Sequence, residues 1–247
     1  MRSALMLFVA CMFSACVNTS RMDKTLAYAQ VHTELAVNYF DVGQVGIAVR
    51  EAELALSAAP SYAPAHNLLA LMYAQLRQND KADVHFNQAL AGASNTTDVR
   101  NNYAWFLCGS GRADEAMVQF AKVLRDPLYV SMDKALVNAG VCAARMGRFD
   151  LAHSYLNAAL DVNPKNAVAY LYRAHMAVSE KRFDAAREDA RAAEILQDKS
   201  KLLWLNVRLA QAQKQLSEES RLIAALLLDA PTSDEAAWAR AGDFNQF

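Results

Sequence analysis

Apolar and small side chains recur along this chain at a fixed interval, and the interval predicts its elements. Leu35, Ala36, Tyr39, Gly43, Ala48, Ala52, Ala55 and Pro60 return 34 residues later as Leu69, Ala70, Tyr73, Arg77, Ala82, Phe86, Ala89 and Ser94. A third copy holds Tyr103, Ala104, Leu107, Gly111, Ala116, Phe120 and Val123, followed by a two-residue insertion around Leu128 to Met132. A fourth holds Ala139, Gly140, Ala143, Gly147, Ala152, Leu156, Ala159 and Pro164, and a fifth Arg173, Ala174, Ala177, Lys181, Ala186, Ala190 and Ala193. Trp204, Val207, Ser220, Ala224, Leu227 and Pro231 make a degenerate sixth. The small residues stand where two antiparallel helices must approach closely, and larger ones such as Tyr39, Tyr73 and Phe120 fill the grooves between them. Gly43, Gly111 and Gly147 fall where the first helix of each pair ends, a place suited to left-handed backbone. Pro60 and Pro164 stop the second helix. No single pair can bury its own apolar face, so the copies must stack.

This register resembles the tetratricopeptide repeat over about residues 28–231. The resemblance implies an all-α, right-handed α-solenoid of six helix-turn-helix repeats, at about 29–62, 63–96, 97–132, 133–166, 167–200 and 201–231. In the sixth copy Arg208 stands where the others carry Ala or Gly, which suits a capping unit. Residues 232–247 form a tail whose Trp238 and Phe244 are placed to cover the open end.

The opening residues follow another pattern. Met1-Arg2, an apolar run from Leu5 to Phe13, and Ser14-Ala15 before Cys16 make a stretch too short to span a bilayer. It reads as a lipoprotein signal peptide over 1–15 with Cys16 as the lipidated residue, the alternative being an ordinary cleaved signal. Val17 occupies the place where Asp would favour inner-membrane retention, so the periplasmic face of the outer membrane is the expected location. Residues 16–27 form the lipidated Cys and a polar tether.

Composition narrows the field. Apolar residues make up 54% of the chain, but there are only 8 Gly and 5 Pro, too little punctuation for a many-turned β fold. The net charge is −1, and losing Arg2 with the signal leaves 24 basic against 26 acidic residues. No general basic field exists to recruit nucleic acid.

Within the repeats, Asn101-Asn102-Tyr103-Ala104-Trp105-Phe106-Leu107-Cys108 is similar to the matching segment of the type IV pilus biogenesis lipoproteins, the PilF/PilW secretin pilotin family. His66-Asn67-Leu68-Leu69-Ala70, Asn138-Ala139-Gly140-Val141-Cys142 and the Gly242-Asp243-Phe244 tail extend the likeness. The resemblance implies a monomeric scaffold that binds the secretin subunit and promotes its outer-membrane localisation and multimerisation. It calls for no cofactor beyond the lipid on Cys16. The family also tends to carry the pair Cys108 and Cys142, on first helices of consecutive repeats. Such helices lie 8–10 Å apart, so a disulfide is possible in the oxidising periplasm and would constrain the unfolded chain by about 3–4 kcal/mol. Two buried thiols are the alternative.

In such a fold the first helices line a groove. The register points Thr33, Val37, Phe40, Asn67, Leu71, Asn101, Trp105, Val141, Leu171 and His175 into it, an apolar set with amides able to bind peptide backbone. Packing between neighbouring helices is the competing role for any one of them. A carboxylate clamp would require Lys and Asn where Thr33 and Val37 stand, so a C-terminal carboxylate ligand is not supported. His32, His66, His85, His153 and His175 lack metal-ligand spacing, and neither a phosphate loop nor a nucleophile elbow occurs. Another repeat lipoprotein, serving outer-membrane protein assembly or regulating peptidoglycan hydrolases, is the second reading. A periplasmic enzyme is the remote one.

Overall fold

The computed structural model describes residues 24–92, 96–195 and 198–244. The expected signal peptide, the expected lipidation site Cys16, and the last three residues of the tail lie outside them. Thirteen α-helices and one 3₁₀ turn, with no strand, make up the regular structure of the described residues. Among these residues no helix is long and apolar enough to cross a membrane. Helix α1 runs through 24–41, so residues 24–27, read from sequence as the end of the tether, are helical.

The helices form two compact units, one ending at Arg112 and the other beginning at Ala113. In the first, α1 is followed by α2 (Val45–Ala58), α3 (Ala63–Gln75), α4 (Asn79–Gly92) and α5 (Thr97–Gly109). The second holds α6 (Ala113–Val123), α7 (Met132–Arg145), α8 (Phe149–Val162), α9 (Ala167–Ser179) and α10 (Phe183–Ala192). After the 3₁₀ turn Ala193–Ile195 come α11 (Lys199–Ala212), α12 (Leu216–Asp229) and α13 (Asp234–Ala241). Antiparallel pairs α3/α4, α7/α8, α9/α10 and α11/α12 make the most extensive contacts.

The repeated small residues do what their spacing requires. Ala36, Ala48, Ala52, Ala55, Ala70, Ala82, Ala89, Ala104 and Ala116 are fully buried, with Phe86 and Phe120 filling the space between helices. Gly140 marks a close approach of α7 to α8, since a Cβ there would lie 3.0 Å from Leu156 Cγ.

The turn between the paired helices uses one backbone device throughout. Gly43, Gly111 and Gly147 take left-handed φ of +77°, +83° and +72°, and Arg77, Lys181 and Lys214 adopt the same conformation without being glycine. Lys214 follows Lys181 by 33 residues instead of 34. The sixth copy is therefore one residue short, which corrects its register. Leu222 and Leu226 fill its core while Ser220 and Ala224 face solvent. Arg208 becomes the counterpart of His175, not of a small residue.

The chain beyond Pro231 forms a further short helix. Ser233 caps α13 by accepting the Ala236 N–H, and left-handed Gly242 ends it. Trp238 and Phe244 then pack on Trp204, Leu222 and Leu226, closing the apolar end of the last pair.

Candidate functional site

Two inward positions one helical turn apart recur on each first helix, and in the first unit the second of them, Leu71 on α3 and Trp105 on α5, opens onto an apolar cleft. Phe40 of α1, Leu71 and Ala74 of α3, and Trp105 and Phe106 of α5 line it. Its volume is about 340 Å³. The helical period puts Val37 one turn before Phe40 on α1, where it is 40% exposed. Asn102 and Arg77 supply polar groups at the margin. Asn102 also donates through Nδ2 to Asn67 Oδ1 at 3.3 Å, holding α5 to α3. Elsewhere on α5, Tyr103 Oη donates to Asp83 at 2.6 Å and Arg112 Nη1 donates to the other oxygen of the same carboxylate at 2.9 Å, tying α5 and the turn after it to α4. The cleft therefore has an apolar lining and a braced backbone, which suits a protruding apolar side chain better than a charged metabolite.

Five predicted groove residues are not at the surface, His175 and four more. Thr33 is 8% exposed and returns its hydroxyl proton to Ala29 O at 2.7 Å. Asn101 is 8% exposed, Val141 1% and Leu171 2%. Leu171 belongs to a core with Leu205 and Leu209. These four are packing residues. A helical period reports which way a side chain leaves its own helix, but only the neighbouring helix decides whether water reaches it. Val37, Phe40, Asn67, Leu71 and Trp105 keep surface.

The histidines pair in ways the sequence did not disclose. His66 Nε2 lies 2.9 Å from Pro60 O, which can only accept, so this nitrogen carries the proton. Its Nδ1 then accepts from His85 Nδ1 at 2.9 Å. Burial, together with the His66 and Lys81 charges, lowers the pKa of His85. His32 meets Glu51 and His153 meets Glu180, each at 2.6 Å. His175 is buried beside Arg208, 2.7 Å away, and burial followed by that charge pushes its pKa well below the usual imidazole range. Burial likewise lowers Arg208 to about 10. Among the described residues no group of three or more His, Cys, Asp or Glu is placed to hold a metal. Cys108 on α5 and Cys142 on α7 are both buried.

Stacked helix pairs turning on a left-handed residue about every 34 positions define a tetratricopeptide-repeat protein, and the tetratricopeptide repeat family matches residues 63–91 and 133–166. The type IV pilus assembly protein PilF of Pseudomonas aeruginosa is 28% identical over 193 residues, 76% of this chain and 77% of its own. The crystal structure of PilW, described as a widely conserved type IV pilus biogenesis factor, superposes with a TM-score of 0.71 at 31% identity, covering 84% of this chain and 96% of PilW. A structure of Pseudomonas aeruginosa PilF superposes with a TM-score of 0.69 at 24% identity, over 90% of this chain and 99% of PilF. The chain belongs to the PilF/PilW family of tetratricopeptide-repeat proteins.

Proposed function

We propose that this protein is a pilotin: an outer-membrane lipoprotein, anchored through Cys16, that binds the secretin subunit of a type IV pilus system and promotes its localisation and multimerisation. It acts by binding, not by catalysis. The open apolar cleft of Phe40, Leu71 and Trp105 on three first helices carries the reading, because an apolar pocket on a braced helical scaffold is built to receive a partner's side chain. The kinship with PilF and PilW supplies the biological setting. Anchoring holds scaffold and client on one surface, which raises their local concentration and favours multimers. Cys108 and Cys142 form a disulfide in this proposal, detectable as the absence of alkylation without reductant.

The test is a deletion strain complemented with variants and scored for heat-resistant secretin multimers and surface pili. Leu71→Glu and Trp105→Ala should weaken secretin capture by purified protein about 30-fold, the loss typical of an interface anchor, without changing helical content. Cys16→Ala should leave a folded protein and misplaced secretin. Normal multimers and unchanged capture in the cleft variants would sink the proposal.

A further inference from the structure

The inward positions of the first unit, of which Leu71 and Trp105 line the cleft, recur in the second, and there the pair on α11 contacts the chain's own 238–244 segment. Asn67 and Leu71 on α3, and Asn101 and Trp105 on α5, correspond to Leu171 and His175 on α9. Allowing for the 33-residue step to Lys214, they correspond to Trp204 and Arg208 on α11. Trp204 is large and apolar, yet only 1% exposed. It packs with Val207, Ala210, Leu222 and Leu226 of the last helix pair, and the 236–244 segment supplies the rest of its cover. The Phe244 ring stacks on Trp204 with centroids 5.6 Å apart and planes 12° from parallel, and Trp238 lies against it at 5.8 Å. Arg208 Nε donates to the Phe244 carbonyl at 3.0 Å. Its two other nitrogens contact α9, Nη1 at His175 Nδ1 and Nη2 at Ser179 Oγ, 3.2 Å away. Left-handed Gly242 makes the reversal that brings Asp243 and Phe244 back from α13 to this face.

An aromatic ring and a backbone carbonyl thus sit on the inward positions of α11, one held by a ring and the other by an oriented guanidinium. This is peptide recognition carried out on a segment of the same chain. We propose that Trp204 and Arg208 form a second binding site, for an extended protein segment bearing an aromatic side chain, and that the 238–244 segment is its resident, displaceable occupant. An intramolecular segment is present at an effective concentration of about 1 mM or more, so a modest grip keeps it seated. A client adding contacts on α9 and α11 replaces it. The inference stands on the second unit alone and is independent of what the first unit's cleft holds.

The test uses the full chain with Trp238→Ala and Phe244→Ala combined, and a fluorescently labelled, amidated peptide of residues 238–244. Anisotropy should show the peptide binding this variant at least about 10-fold more tightly than the unmodified protein, whose own tail competes. Equal binding to both, or to neither, overturns the proposal. Should the variant lose its helical circular dichroism, hydrogen exchange on the unmodified protein decides. Amides of 236–243 exchanging at least about 100-fold faster than those of 204–210 support a displaceable tail. Exchange of both segments at one rate means a permanent cap, and the proposal fails.

Discussion

Gly140 offers the sharpest test of the packing, because two effects of opposite sign meet there. Replacing a glycine inside a helix by alanine ordinarily stabilises by about 1 kcal/mol. In Gly140→Ala the new Cβ would stand 3.0 Å from Leu156 Cγ, 3.2 Å from Leu156 Cδ2 and 3.3 Å from Ala152 O. Carbon atoms prefer about 3.5–4.0 Å, and Leu156 is fully buried, in an interior packed at crystal-like density that resists its displacement. Helices α7 and α8 must part by a few tenths of an ångström. Overpacking of this kind costs about 1–3 kcal/mol, so after the propensity gain the variant should lose about 1 kcal/mol. For a unit of this size that is about 3–6 °C in melting temperature, measurable by calorimetry at pH 7.5. The control is Leu156→Ala, which alone should cost about 2–5 kcal/mol through the cavity it leaves. In that background Gly140→Ala should turn neutral or stabilising, because the side chain it collided with is gone. A higher melting temperature for Gly140→Ala alone, or the same penalty in both backgrounds, would refute the close approach as the reason for glycine.

Other expectations concern the turns and the histidines. Lys181→Gly should raise stability by about 0.5–1 kcal/mol by relieving left-handed backbone on a side-chain-bearing residue, and Gly147→Ala should lower it by about 1 kcal/mol; urea titrations that order these two variants the other way would contradict the turn assignment. His175 has a folded pKa well below the imidazole range, so the unfolded chain takes up its proton first as pH falls. Its contribution is complete above about pH 6.5 and is lost below, at about 1.4 kcal/mol per pH unit. His175→Gln, which retains a polar partner for Arg208, should flatten melting temperature against pH between 6.5 and 5, and an unchanged slope would remove His175 as its source. The His85 pKa is shifted in the same direction, so His85→Phe should flatten the same window in the first unit.

Much of the architecture was legible in the primary structure. The interval of small residues predicted paired helices, and Gly43, Gly111 and Gly147 marked the turns between them, because a left-handed turn and a close helix approach each restrict residue type locally. Val37, Phe40, Leu71 and Trp105 are expected from the register to face the groove, with packing between helices as the competing role, and they keep surface. Each is an apolar residue at an inward position that the neighbouring helices of the first unit leave at least partly uncovered.

What sequence alone could settle is the set of properties that live within one helix or one turn: period, direction and punctuation. Tertiary structure decided the rest. Thr33, Asn101, Val141 and Leu171 share the inward register yet are buried, because exposure belongs to a pair of neighbouring helices and not to either one. Arg77, Lys181 and Lys214 occupy left-handed turns without glycine, their strain outweighed by the helix pairs they join, and the 33-residue step they reveal re-registers the last pair. The docking of Phe244 on Trp204 and Arg208 joins residues 36 apart or more, and such meetings follow from how whole helices stack, which no local pattern of side chains encodes.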